Sequence, residues 1–399
     1  MFFLFVLLLS LTGMLKAQVT TAGMSGKVMA DEESVIGATV VAVHEPSGTS
    51  YGTVTNVDGR FSLQGMRSGG PYKVTVSYIG YQTAIYTGIQ LQLGETYSLN
   101  VTLHEASELL GEITITASRS KFSAEKTGAT TNISSEQLTT LPSINRSISD
   151  FTRISPYASG NSFGGRDGRS NTFTVDGANL NNNFGLSSGL PGGGNPISLD
   201  AIDEVQVVIA PYDVRQANFI GAGINAITKS GTNAYRGSAY MYFNNEVMRG
   251  NKIGDTDFGV RAEESKTVYG ATFGGPIIKD KLFFFANVEY EKSPQQVITW
   301  RAAKEGETPN NSTISRTTEA DLAEFSQILK DKYGYNTGSF TDFPADVTNL
   351  KLLGRIDWNI NQGNKLSVRY NFTNNKTWEA PNGSSGNTGY RLAYNRVSA

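Results

Sequence analysis

Three segments late in the chain alternate between two kinds of residue with period two. Leu282, Phe284, Ala286, Val288 and Tyr290 alternate with Phe283, Phe285, Asn287, Glu289 and Glu291. Leu350, Leu352, Ile356, Trp358 and Ile360 alternate with Lys351, Leu353, Arg355, Asp357 and Asn359. Leu366, Val368, Tyr370 and Phe372 alternate with Ser367, Arg369, Asn371 and Thr373. Side chains on a strand point to opposite faces in turn, so each segment has one apolar face and one face carrying charge or amide. A transmembrane β-barrel has this dyad repeat, with lipid outside and water inside. A strand of a soluble sandwich has it too, and the alternation alone leaves both open.

The chain has 399 residues, a formal net charge of −2 and no cysteine. That length admits two or three domains. The 43 glycines, 18 tyrosines and 20 phenylalanines, with only 18% charged residues, suit strands joined by tight turns better than a helical enzyme. Near-neutral charge gives no electrostatic case for nucleic acid. His44 and His104 are far apart, so neither a histidine metal cluster nor a histidine-dependent triad has material. No catalytic, cofactor-binding or metal-ligating set is expected.

Residues 1–17 read as a secretory signal. Phe2 to Leu11 is apolar except for Ser10, and Leu15-Lys16-Ala17 precedes Gln18. The run is too short for a permanent span, although its start lacks a positive residue. No later segment approaches the length of a membrane helix, so a membrane-embedded form would be a barrel. Absence of cysteine fits an exported chain that does without disulfides.

From 18 to 103, short strands are spaced by turn residues. They are expected at Ser25–Met29, Ala38–His44, Gly52–Thr55, Arg60–Leu63, Tyr72–Tyr78, Gln82–Tyr86 and Tyr97–Leu103. Pro46-Ser47-Gly48, Asp58-Gly59 and Gly69-Gly70-Pro71 supply turns. This spacing describes a small β-sandwich. Asn56-Val57-Asp58-Gly59 has too few acidic partners for a calcium loop and reads as a turn. Ser25-Gly26-Lys27-Val28, Ile36-Gly37-Ala38-Thr39-Val40, Thr55 to Phe61 and Val76 to Tyr81 resemble the carboxypeptidase-regulatory-like domain that precedes many Bacteroidetes outer-membrane receptors. The resemblance implies a periplasmic accessory domain without catalysis.

A linker spans 104–118. Within it Glu112, Ile113, Thr114, Ile115, Thr116 and Ala117 form a short β-prone run. Such a run can add as a strand to a partner's sheet edge. It resembles the box that TonB-dependent receptors offer to TonB, and equally it reads as the first strand of the next domain.

The next domain, 119–233, is expected to be an α+β plug. Ser134 caps a short helix with Gln137 three residues on, and Pro142 ends it. A second helical turn covers Ile148–Arg153, and strands are expected at Ser170–Asp176, Ile202–Ile209 and Ala222–Thr228. Asp176-Gly177 marks a hairpin turn. The Gly221-Ala222-Gly223 pair lacks the third glycine and the helix of a dinucleotide fingerprint, and reads as a close backbone approach. Asn179, Asn181, Asn182 and Asn183 open a long Asn/Gly loop, either a passive connection or an apex that meets substrate through amides. Gly164 to Gly177 and Leu199 to Val207 resemble the plug of TonB-dependent receptors. Ala210-Pro211-Tyr212-Asp213 and Lys229-Ser230-Gly231-Thr232-Asn233 point to the Oar-like branch.

Residues 234–399 decide between barrel and sandwich. Further strands are expected at Tyr235–Phe243 and Lys266–Phe273. Connections run long (244–265), short (274–281), long (293–349) and short (360–364). Outer-membrane barrels keep short periplasmic turns and long outer loops, and a sandwich has no reason for that parity. The longest loop holds a helix capped by Thr318 and Asp321 and ended by Gly334, with an apolar stripe of Leu322, Phe325, Ile328 and Leu329 expected to pack on neighbouring loops. About five strands are present where a plugged transporter barrel has about 22, so an N-terminal portion of a longer receptor is expected.

The expected fold class is mainly β: a small β-sandwich, an α+β plug, then the first strands of an incomplete transmembrane antiparallel β-barrel. The resemblance implies a transporter in the outer membrane of a Gram-negative bacterium, with the N-terminal domain in the periplasm. Implied partners are TonB with its inner-membrane energising complex, outer-membrane lipid, and an extracellular substrate that a surface lipoprotein could accompany. An adhesion or matrix protein with the same architecture is the alternative. No nucleophile–base pair or phosphate loop supports an enzyme.

Overall fold

The computed structural model describes residues 20–30, 33–105, 113–116, 129–143, 146–181, 195–211, 216–217, 219–257, 265–294, 301–309, 314–338, 347–379 and 395–398. The signal segment 1–17, the outer box residues Glu112 and Ala117, and Asn182 and Asn183 of the plug loop lie outside these residues.

The N-terminal domain is a sandwich of two sheets. Its strands are β1 (Ala22–Ala30), β2 (Glu33–Ser34), β3 (Thr39–His44), β4 (Thr49–Val54), β5 (Arg60–Met66), β6 (Gly69–Ser77), β7 (Ala84–Leu91), β8 (Thr96–Ser98) and β9 (Val101–Leu103). In one sheet β1 pairs with β2, β5, β8 and β9. The single strand expected at Tyr97–Leu103 is two, β8 and β9, both parallel to β1. The break lies where Gly26 meets Leu99. A Cβ on Gly26 would come within 1.8 Å of the Leu99 carbonyl oxygen, so only glycine allows that approach. The other sheet runs β10-β7-β6-β3-β4, where β10 is Ile113–Thr116. Met24, Val28, Val40, Met66, Tyr72, Val74 and Val76 fill the space between the sheets.

The plug contains β11 (Ala129–Ser134), α1 (Ser135–Thr140), α2 (Ile148–Thr152), β12 (Ala158–Ser159), β13 (Ser162–Phe163), β14 (Thr172–Val175), β15 (Ala178–Asn179), β16 (Ile202–Ala210) and β17 (Gly223–Thr228). Ser134 and Gln137 form the expected capping box on α1, and Ser147 with Asp150 forms another on α2. Four longer strands and β15 make one sheet, β11-β16-β17-β14-β15. Asp176 and Gly177 both have positive φ, 49° and 85°, and join β14 to β15 as a hairpin turn of the expected kind. The first plug strand, β11, was not foreseen. Ala-Thr-Thr-Asn-Ile-Ser has no apolar alternation, and only pairing with β16 makes it a strand.

The third region supplies β18 (Arg236–Asn245), β19 (Lys252–Ile253), β20 (Thr256–Asp257), β21 (Ser265–Ile278), β22 (Leu282–Lys292), β23 (Arg301–Ala303), β24 (Ile314–Thr318), α3 (Glu319–Tyr333), β25 (Thr348–Asn359), β26 (Lys365–Glu379) and β27 (Asn395–Ser398). Its main sheet is open, in the order β18-β21-β22-β25-β26-β27. Long and short connections alternate as expected. The outward set is exposed: Ile356 46%, Trp358 45%, Val368 56% and Tyr370 66%. The charged set is buried: Glu289, Lys351, Arg355 and Asp357 are each below a tenth exposed. Apolar residues outside and charges inside are the inverse of a water-soluble domain and the pattern of a barrel wall.

Helix α3 has the expected Thr318–Asp321 capping box and a left-handed Gly334 at its end. Its stripe does not pack as expected. No residue of α3 is buried, and Phe325 is 58% exposed. None of the described helices is long and apolar enough to cross a membrane, which says nothing about strands.

The chain divides into two compact units. One comprises Met1–Ser238, Thr272–Asn287 and Leu353–Asn371; the other comprises Ala239–Ala271, Val288–Leu352 and Phe372–Ala399. The first unit holds the sandwich, the plug and one end of the main barrel strands. In it Phe285 of β22 and Leu353 of β25 join the plug core of Ile133, Phe151, Phe173, Val205 and Val207. At these two inward positions the wall is apolar, and both side chains pack into the plug core. In the second unit, Lys351 lies 2.8 Å from Glu289 and 3.8 Å from Glu291, and Tyr240 donates to Glu289 at 2.9 Å.

Candidate functional site

The Asp176-Gly177 turn places one carboxylate at the centre of a polar cluster in the first unit. Thr228, the last residue of β17, donates to it twice, through its backbone N at 3.0 Å and its hydroxyl at 2.6 Å. Arg355 of β25 reaches the same point. Its guanidinium donates to the Thr228 carbonyl at 2.5 Å and lies 3.9 Å from Asp176 Oδ1. Arg369 of β26 lies 3.4 Å from Asp176 Oδ2. Period two puts Arg355 and Arg369 on the inward faces of β25 and β26, so the plug is tied to the wall by charge. Asp357, two residues from Arg355 on the same face, holds the Arg355 guanidinium at 2.8 Å and accepts from the Ser367 hydroxyl at 2.6 Å.

The sandwich joins this cluster through Arg67. Its guanidinium lies 3.2 Å from Asp357 Oδ2. The Tyr72 hydroxyl donates to the Arg67 carbonyl at 2.7 Å, and the Tyr51 hydroxyl accepts from the Arg67 backbone N at 3.1 Å. Burial lowers the Arg67 pKa, and the Asp357 carboxylate opposes that shift. Asn359 adds a further tie, donating to the Thr49 hydroxyl at 2.9 Å.

A second junction joins sandwich and plug at Leu93, which is fully buried. Its backbone N donates to both carboxylate oxygens of Glu204, at 3.2 and 3.1 Å. Its carbonyl accepts from Gln206 at 2.5 Å and Asn132 at 3.4 Å. Burial pushes the Glu204 pKa up to about 8, with Asp203 and Glu95 adding to the rise. A cavity of about 620 Å³ lies nearby, lined by His44, Arg67, Asp203, Glu204, Lys229 and Arg236 among others. His44 is buried. Burial and the Arg67 charge hold its pKa down at about 3, and its Nδ1 is 2.7 Å from the Ser47 hydroxyl. Among the described residues no group of three acidic or histidine side chains could hold a metal ion.

The plug-loop residues separate in role. Asn179 is exposed, and its Oδ1 accepts from the Asn181 backbone N at 2.8 Å. The Asn181 amide is spent on the plug itself. It accepts from Phe173 N at 2.6 Å and donates to the Asn171 carbonyl and the Thr172 hydroxyl, each at 3.2 Å. Gly221 and Gly223 are close-approach positions as expected, since Cβ atoms there would meet Asn171 at 2.3 Å and Phe219 at 2.7 Å. Within the expected box, Ile113–Thr116 is a strand, but it pairs with β7 of the preceding sandwich and not with the plug. Sequence reasoning missed Arg67, Glu204 and Gln206. Arg67 lies between β5 and β6, Glu204 and Gln206 lie within the plug-like stretch of β16, and only docking gives each its partner.

Comparison with known proteins agrees with this layout. Residues 23–104 match the Carboxypeptidase regulatory-like domain. Residues 227–398 match the Outer membrane beta barrel domain. The chain is 25% identical over 344 residues to the TonB-dependent transporter Oar of Myxococcus xanthus. The chain thus carries a carboxypeptidase regulatory-like domain followed by an outer membrane β-barrel domain. Its place is the outer membrane. The match covers 81% of this chain and 30% of the relative, so the chain spans under a third of that protein's length. Among solved structures, the siderophore receptor PirA of Pseudomonas aeruginosa aligns with 63% of this chain and 38% of its own, at 15% identity and TM-score 0.38. PirA of Acinetobacter baumannii aligns with 68% and 43%, at 17% identity and TM-score 0.39.

Proposed function

We propose that this receptor works in TonB-dependent uptake across the outer membrane, with the plug as the gate of the barrel. The observation that carries the reading is the attachment of plug to wall at Asp176. It is made of charges and hydrogen bonds to Arg355 and Arg369, supplemented by a small apolar patch at Phe285 and Leu353. Buried ion pairs add little net stability compared with apolar packing, so such an attachment is strong in geometry and modest in free energy. A plug that must shift and return suits that balance. The transporter named among the relatives supports the same reading.

Glu112 to Ala117 serves as the box that TonB grips, and its inner-membrane complex supplies the energy. Asn179, Asn182 and Asn183 meet substrate on the plug loop, while Asn181 anchors that loop to β14. The substrate enters from outside the cell, with or without a surface lipoprotein, and the sandwich lies in the periplasm. Deleting Glu112–Ala117 tests the reading through uptake and surface phenotype together. Lost uptake with the protein still in the outer membrane supports it. Unchanged uptake and an unchanged surface phenotype sink it and leave the adhesion alternative.

A further inference from the structure

The segment Ile113–Thr116 has two edges, and the sandwich uses one of them. It lies parallel to β7, with Ile113 opposite Ala84, Thr114 opposite Ile85, Ile115 opposite Tyr86 and Thr116 opposite Thr87. On its other side β7 pairs with β6. The segment is thus the terminal strand of the sheet β10-β7-β6-β3-β4, and its far edge pairs with none of the described strands. A terminal strand presents a row of backbone donors and acceptors to another chain. Alternating Ile and Thr, both β-branched, favours the extended form this requires.

We propose that the N-terminal sandwich is a presenting platform for the TonB box. It holds the box extended on β7, and the partner's strand adds to the free edge without displacing it. The inference rests on the box reading above and deepens it. A free four-residue segment would have to be ordered on binding, at a cost in backbone entropy for every residue fixed. The sandwich has already imposed that order. The partner meets a formed sheet edge, so TonB, box and sandwich become one continuous sheet. The sandwich also joins the plug at Leu93 and Glu204, so a pull on this sheet reaches the plug by that contact as well as along the linker.

The natural chain has no cysteine, which makes the test direct. Neighbouring strands lie roughly 4.8 Å apart, inside the span of roughly 4.4–6.8 Å between Cα atoms that a disulfide accepts. Thr87→Cys with Thr116→Cys in the full receptor places two thiols at facing positions, and Ile85→Cys with Thr114→Cys is a second register pair. Binding of the purified TonB C-terminal domain is measured before and after oxidation. The expected result is that at least one pair closes in the resting receptor and that the closed form binds within about threefold of the reduced form. Failure of both pairs to close overturns the proposal. So does closure that weakens binding by more than about threefold and is reversed by reductant, because the box would then have to leave the sandwich. Replacing Glu112–Ala117 with a Gly-Ser run judges the box reading separately. Retained TonB binding in that variant sinks the box, whereas the cross-link decides whether the strand sits on β7.

Discussion

The sandwich and the barrel wall use the same alternation with opposite sign. In β6 the residues hidden from water are Tyr72, Val74 and Val76, each fully buried between two sheets. In β25 the hidden residues are Lys351, Leu353, Arg355 and Asp357, while Ile356 and Trp358 are exposed. A period of two states that a strand has two faces, and does not state which face meets water. In the sandwich, apolar area removed from water drives the choice. In the wall, lipid takes the apolar face, and the plug and its charges take the other.

Matched substitutions break or sharpen this contrast. The largest effect is expected from Tyr72→Ala, which opens the sandwich core and removes the bond to the Arg67 carbonyl. By analogy with large aromatic truncations, a loss of about 3–5 kcal/mol is expected in denaturant unfolding. Arg355→Met tests the opposite rule, that a buried wall position needs charge. It leaves Asp176 and Asp357 short of a partner, and a loss near about 3 kcal/mol is expected. An Arg355→Met protein as stable as the natural one would show that the polar cluster is incidental. Val368→Lys on the outward face should cost up to about 2–4 kcal/mol in a bilayer, by the depth-dependent penalty of lipid-facing charge. No loss in a bilayer would remove lipid from that face.

A pH titration sharpens the sandwich–plug junction. The Glu204 pKa is raised from 4.5 to about 8, so the folded protein keeps a proton that the unfolded chain gives up. Its contribution is fully present below about pH 4.5 and is lost as pH rises through about 8. Thermal unfolding of the natural protein should therefore fall relative to Glu204→Gln across that window. Parallel curves for the two proteins would refute the assignment. The smallest effect is expected at Thr318→Ala, the cap of the exposed helix α3. It should cost about 1 kcal/mol of local helix stability by amide exchange and leave global unfolding unchanged.

Much of the fold was legible because its causes are local. The boxes at Ser134 and Thr318 need only residues three apart, and the Asp176-Gly177 turn needs only two residues that tolerate positive φ. Other features were hidden for the same reason in reverse. Strand β11 lacks an apolar pattern and forms only against β16. Asn181 resembled a surface amide until the chain folded back on Phe173. The stripe on α3 had the period of a packing face, yet Phe325 stays exposed.

The sequence alone determined which residues share a face, where helices and turns begin, and that the wall strands are amphipathic. Those properties follow from backbone geometry within a few residues. Only the tertiary structure decided that Arg67 meets Asp357 across 290 positions, that Glu204 meets Leu93, and that Ile113–Thr116 lies back on the sandwich. Such contacts depend on how separate domains dock, and a short-range pattern carries no record of the residue it will face.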